Sequence, residues 1–111
     1  MTTILIRKTS KKEYKGFTCM GHAGRKRLWF EKDLVCASIS ILVINTLNGL
    51  EKFTDTKMEI TTNEETGFLR CVFQDSLSDK AIVLIDTMIL GLEQICQEYG
   101  NKYCNVNFKE V

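Results

Sequence analysis

Residues 33–53 read Asp-Leu-Val-Cys-Ala-Ser-Ile-Ser-Ile-Leu-Val-Ile-Asn-Thr-Leu-Asn-Gly-Leu-Glu-Lys-Phe. Positions 36, 39, 43, 47 and 50 are Cys, Ile, Val, Leu and Leu. Steps of three and four bring these side chains onto one face of a helix, so the spacing predicts a helix over 34–53 with that stripe in the core. Leu34, Val35, Ile41, Leu42 and Ile44 are apolar as well, which predicts burial of the first half on most sides. The apolar run from Leu34 to Ile44 is broken by serines and is too short to cross a bilayer. Asp33 has two rival readings: the N-cap, a carboxylate that accepts from a backbone N–H two or three residues on, or the residue that orients the His22 imidazole. Cys36 then falls in the first helical turn.

Outward from this helix the pattern changes to period two. Residues 2–8 and 14–20 read as strands, with Phe17 and Cys19 on one face and Thr18 and Met20 on the other. Gly21-His22-Ala23-Gly24 ends the second strand, and the charged and aromatic residues 25–32 read as a loop. Residues 57–62 and 67–74 form two strands around Asn63-Glu64-Glu65-Thr66-Gly67, a hairpin signal. Ser76 or Ser78 caps a second helix reaching Tyr99, with Ile85, Met88, Leu92, Cys96 and Tyr99 on one face and Gly100-Asn101 as its stop. Residues 102–109 alternate Cys104, Val106 and Phe108 with polar partners and read as the last strand. The order ββαββαβ predicts an α+β fold in one domain over residues 1–111, a mixed sheet with two long helices packed on it.

Composition narrows the function. At 111 residues, 44% hydrophobic and 26% charged, the chain is expected to be globular. Fifteen basic against fourteen acidic residues leave a net charge of +1. Nothing draws the chain as a whole to nucleic acid or to an anionic membrane. The opening Met-Thr-Thr-Ile-Leu-Ile-Arg-Lys is too short an apolar run for a secretory signal. Five cysteines, an odd number, are therefore read as free thiols in a reducing cytosol.

Chemistry can come from few places. His22 is the single histidine and sits at a strand end among glycines. Cys36 near a helix N-terminus would gain thiolate character from the free N–H groups and the helix dipole, and a nearby imidazole would add to it. The plainer alternative is a buried structural cysteine and a structural histidine. Cys19, Cys71, Cys96 and Cys104 stand at apolar positions and are expected to act as small hydrophobes. Cys19, His22 and Cys36 together make three soft metal ligands, one short of a structural zinc site, so no metal is expected. Arg25-Lys26-Arg27 forms a short basic cluster, usually solvent-facing. Trp29-Phe30 are two large aromatics that need cover from core, partner or ligand.

Gly21-His22-Ala23-Gly24, followed by Lys32-Asp33-Leu34-Val35-Cys36-Ala37-Ser38-Ile39-Ser40, resembles the signature of the ribosomal-processing cysteine protease Prp family. Leu47-Asn48-Gly49-Leu50-Glu51 and Thr87-Met88-Ile89-Leu90-Gly91-Leu92 resemble that family's two helices. The resemblance implies a cysteine endopeptidase that removes a short apolar N-terminal extension, ending in bulky aromatics, from large-subunit ribosomal protein twenty-seven. It implies Cys36 as nucleophile, His22 as its base, Asp33 and Ser40 as further motif positions, a homodimer and no cofactor. The loop between Gly24 and Lys32 is longer than is usual in the family, and Glu31 stands where a glycine is typical. That loop covers the site in the family, so Trp29 and Phe30 fall where substrate would be held. A non-enzymatic ribosome-associated binding module, using Arg25-Lys26-Arg27 and the aromatics, is the rival from another class. Incubation with a chelator is expected to leave any hydrolytic rate unchanged. Inhibition that added zinc reverses would restore Cys19, His22 and Cys36 as ligands.

Overall fold

The protein, seen in a computed structural model, is described over residues 2–21, 30–100 and 102–111. Alternation along the sequence produces strands with two distinct faces. β1 (Thr2–Lys8) and β2 (Tyr14–Met20) pair antiparallel, setting Ile4 opposite Cys19 and Ile6 opposite Phe17. β3 (Met58–Asn63) and β4 (Phe68–Phe73) make the expected hairpin, and β4 joins β2 through Phe17 opposite Cys71. β5 (Cys104–Glu110) runs parallel to β1. The sheet order is β3-β4-β2-β1-β5, which leaves β3 and β5 as the edges. With α1 (Phe30–Phe53) and α2 (Asp79–Tyr99), the chain has the ββαββαβ order and the mixed sheet of the expected α+β fold.

Ile4, Ile6, Phe17, Cys71 and Phe73 meet Val35, Ile39, Val43, Leu47 and Leu50 of α1 and Ala81, Ile85, Met88 and Leu92 of α2 in one core. Each large side chain taken fully out of water there contributes about 1.5–3 kcal/mol. The Phe17 and Phe73 rings add a tilted contact at 6.4 Å. Tyr14 on β2 hydrogen-bonds Asp86 on α2, tying helix to sheet at the solvent edge. Of the two candidate caps, Ser78 is the one used: its side chain accepts from the Ala81 N–H at 3.2 Å. Gly100, at φ 90°, closes α2 by donating its N–H to the Cys96 carbonyl at 2.8 Å. Asn101 lies outside the described residues.

Two glycines are required by close approach. A Cβ on Gly16 would stand 2.3 Å from the Cys71 carbonyl oxygen, where β2 and β4 pair. A Cβ on Gly91 would stand 2.9 Å from Leu42 Cδ1, where α2 crosses α1.

Four expectations are corrected. α1 begins at Phe30, so Asp33 lies within its first turn and is not the N-cap. Glu31 and Asp33 both suit the positive end of the dipole, and Glu31 and Lys32 are good helix formers, which carries the helix upstream of Asp33. Burial of the first half is one-sided: Leu34, Ile41 and Ile44 are exposed. The two helices share the sheet face, leaving the outer side of α1 uncovered. Leu34–Phe53 is also long and apolar enough, at mean hydropathy 1.6, to cross a membrane by length and composition, although its stripe from Val35 to Leu50 packs into the core. Finally, Cys96 and Cys104 are joined by a disulfide, with Cα atoms 5.3 Å apart. The turn after Gly100 folds β5 back on the last turn of α2, a juxtaposition that Cys spacing does not reveal. Cys19, Cys36 and Cys71 are free.

Gly16→Ala is expected to cost about 3 kcal/mol in urea denaturation, because backbone must move. Gly91→Ala should cost about 1 kcal/mol, since the end of the Leu42 side chain can give. Equal, small costs would contradict the close pairing of β2 with β4.

Candidate active site

The site is built where the end of β2 meets the beginning of α1. β2 finishes at Met20, and Gly21 follows at φ 101°, a conformation that side-chain-bearing residues rarely adopt. The Gly21 carbonyl accepts from Thr2 Oγ1 at 3.3 Å, which pins this turn to the start of β1. His22, Ala23, Gly24, the basic cluster Arg25-Lys26-Arg27 and Trp29 lie outside the described residues, as does most of the expected loop. Phe30 is the first residue of α1 rather than a loop residue.

Cys36 lies in the second turn of α1 and is half-buried. Its neighbours on the helix divide sharply, with Val35 and Ile39 fully buried and Ser40, one turn on, exposed. Val35 and Ile39 clamp the helix to the sheet, and Cys36 is carried at the margin of the contact. The structure thus alters the electrostatic argument from sequence. The unsatisfied N–H groups belong to the first turn, residues 30–33, and the dipole's influence falls off within that turn. The Cys36 N–H is inside the helix, so it does not serve as a free oxyanion donor.

Cys19, grouped with Cys36 in the sequence only as a possible metal ligand, is its neighbour in the fold. It projects from β2 toward the helices, packs against the core, and is pushed up to about 11, first by burial and then by the negative charge of a Cys36 thiolate close by. Cys71, deeper under the sheet, is pushed up to about 12 by burial, with Arg7 opposing. Both stay protonated at neutral pH, and thiols of that kind are poor nucleophiles. Ser38 donates to the Leu34 carbonyl at 2.8 Å, a local bond within the helix.

Beside Cys19 and Ser40 a cavity of about 300 Å³ opens between α1 and the β3–β4 hairpin. Val43 and Ile44 line it from the helix, and Thr62, Phe68 and Leu69 line it from the hairpin. Only the hairpin turn was legible beforehand. Its approach to α1 is tertiary, and no local pattern announces it. Among the described residues, no group of three His, Cys, Asp or Glu side chains is placed to hold a metal ion.

The model of the cysteine protease Prp family matches residues 1–104. The chain belongs to the cysteine protease Prp family. A curated relative, the ribosomal processing cysteine protease Prp of Staphylococcus aureus (strain Mu50 / ATCC 700699), is 27% identical over 89 residues, covering 80% of this chain and 81% of the relative. The crystal structure of the S. aureus Prp with a covalently linked product peptide superposes with a TM-score of 0.87 at 25% identity, covering 98% of this chain and all of the other. A Streptococcus mutans structure, 19% identical with a TM-score of 0.84, covers all of this chain and 96% of its own, and shares the fold. Family membership makes the chain a cysteine protease.

The environment of the three free thiols predicts an order of reaction. At pH 8, iodoacetamide is expected to modify Cys36 first in the folded protein. In Cys36→Ala, alkylation of Cys19 should rise about tenfold per pH unit from pH 8 to 10, because a raised pKa leaves thiolate scarce until pH approaches it. Peptide mapping of the labelled protein reads both. Faster labelling of Cys19 than of Cys36 at pH 8 would contradict the arrangement.

Proposed function

We propose that the chain is an endopeptidase that removes a short apolar N-terminal extension from large-subunit ribosomal protein twenty-seven, a step in ribosome maturation. The observation that carries this reading is the family match over residues 1–104, which takes in the histidine motif at 21–24 and the cysteine motif at 32–40. Relatives named for ribosomal processing, one of them solved with a product peptide covalently attached, support the substrate class.

In this reading Cys36 is the nucleophile. Its thiolate sulfur bonds to the scissile carbonyl carbon, and the C–N bond breaks as the His22 imidazolium gives its proton to the departing amine. His22 then takes a proton from water, whose oxygen attacks the thioester and releases the acid and Cys36. The left-handed conformation of Gly21 supports a backbone angled to present His22, and Gly24 closes the same motif. Asp33, free of the capping role, is the candidate to orient the imidazole. Ser40 provides a polar wall one turn beyond the thiol. Trp29 and Phe30 are assigned to the substrate, where aromatic packing would hold apolar rings.

The reading includes a homodimer in the cytoplasm, with no cofactor, membrane or nucleic-acid partner. Ile41, Val83 and Leu90 are more than half exposed, apolar surface on the helices of the kind a second copy would cover. The cytoplasm is where ribosomal proteins are made. The Cys96–Cys104 bridge, at 8% and 0% exposure, would there be shielded from thiol exchange by lack of access.

Cys36→Ala is expected to lower cleavage of a leader peptide at least about a thousandfold while keeping the fold. Cys71→Ala should retain turnover, with a loss confined to stability. Chromatographic separation of the peptide products gives the rates, and retained turnover in Cys36→Ala would remove the reading.

A further inference from the structure

We propose that Thr2 is a positioning residue for the reaction: its buried hydroxyl holds the peptide group through which the chain enters the histidine motif. The inference rests on the reading of His22 as the base and goes beyond it by assigning the contact that sets where that residue begins.

Thr2 opens β1 and is only 2% exposed. Among the described residues no other aliphatic polar or charged side chain is buried so deeply. A buried strand position suits valine equally well, since it has nearly the same outline and no hydroxyl to desolvate. A hydroxyl taken out of water is costly unless it is bonded. The bond that Thr2 Oγ1 makes is to the Gly21 carbonyl, at 3.3 Å.

That carbonyl lies where the sheet no longer holds the chain. The β1–β2 ladder closes at Thr3 opposite Met20. Gly21 then turns to φ 101°, out of the strand conformation. The hydroxyl of Thr2 reaches one residue further than the main-chain pairing does. The Gly21 carbonyl belongs to the planar peptide unit that also contains the nitrogen and Cα of residue 22, so a bond to this oxygen restricts the unit that leads into His22. Thr2 is itself firmly anchored. Its N–H donates to the Tyr103 carbonyl at 2.9 Å. It stands opposite Cys104 of β5, and Cys104 is bridged to Cys96 of α2. One side chain thus ties the entry to the motif to β1, β5 and α2. A base works only within hydrogen-bond reach of the proton it moves, and a small misplacement lowers the rate.

The test measures kcat and KM for a leader peptide, well below the melting temperature of each variant. Thr2→Val and Thr2→Ala remove the hydroxyl, Thr2→Ser keeps it, and His22→Ala checks the underlying reading. His22→Ala is expected to lose at least about a hundredfold in kcat. Each variant without the hydroxyl should lose at least about tenfold in kcat with KM within about twofold, and Thr2→Ser should stay within about threefold of the unaltered protein. Thr2→Val and Thr2→Ala differ in bulk, so misfolding of either alone, read by circular dichroism, leaves the other to decide. An unchanged kcat in a folded variant without the hydroxyl, a loss confined to KM, or Thr2→Ser as impaired as Thr2→Val overturns the positioning role while the base stands. Turnover retained in His22→Ala overturns the underlying reading instead.

Discussion

The contact between one face of α1 and the sheet governs the rest of the molecule. Val35, Ile39, Val43, Leu47 and Leu50 are all almost fully buried against a face made by Ile4, Ile6, Phe17 and Cys71. A stripe this continuous allows the helix one rotation about its axis, because turning it would exchange core residues for the exposed Ile41 and Ile44. Fixing that rotation fixes the direction of Cys36, which lies between Val35 in the core and the exposed Ala37. Packing holds the thiol at the boundary between core and solvent.

The same geometry sorts the cysteines. Cys71 and Cys19 face the helices from the sheet and are kept protonated by burial. Cys96 and Cys104 are bridged and removed from chemistry. Cys36 is left as the free thiol that combines partial exposure with a place in the stretch 32–40, whose sequence resembles the family's cysteine motif. One fold thus places cysteines in three environments, and the difference comes from which face of an element each occupies.

Much of this was legible in the sequence, for particular reasons. Period two at Phe17 and Cys19, and steps of three and four from Ile39 to Leu50, report a single buried face directly, and these elements formed as read. The start of α1 was misread because Asp33 is a good cap by residue type, while Glu31 and Asp33 are equally suited to a first turn. The outer side of the helix was misread because apolar residues such as Ile41 carry no mark of which face the fold leaves open. The Cys96–Cys104 bridge and the approach of the β3–β4 hairpin to Ser40 and Ile44 depend on how distant segments meet. Local periodicity holds no information about that. The paired histidine and cysteine motifs were legible as a resemblance, and the match over residues 1–104 bears out the family.

In the proposed mechanism α1 is the platform for a covalent reaction: the sheet sets its rotation, the rotation aims Cys36, and Cys36 would form a thioester with the peptide. The direct measurement is rapid-quench mass spectrometry of the protein during turnover of a leader peptide carrying a slow-hydrolysing acyl group, followed by mapping of the adduct. The account predicts a mass increase equal to the acyl portion, located on the fragment containing Cys36 and rising before product appears. Turnover with Cys36 unmodified throughout, or an adduct formed on Ser40 instead, would contradict it.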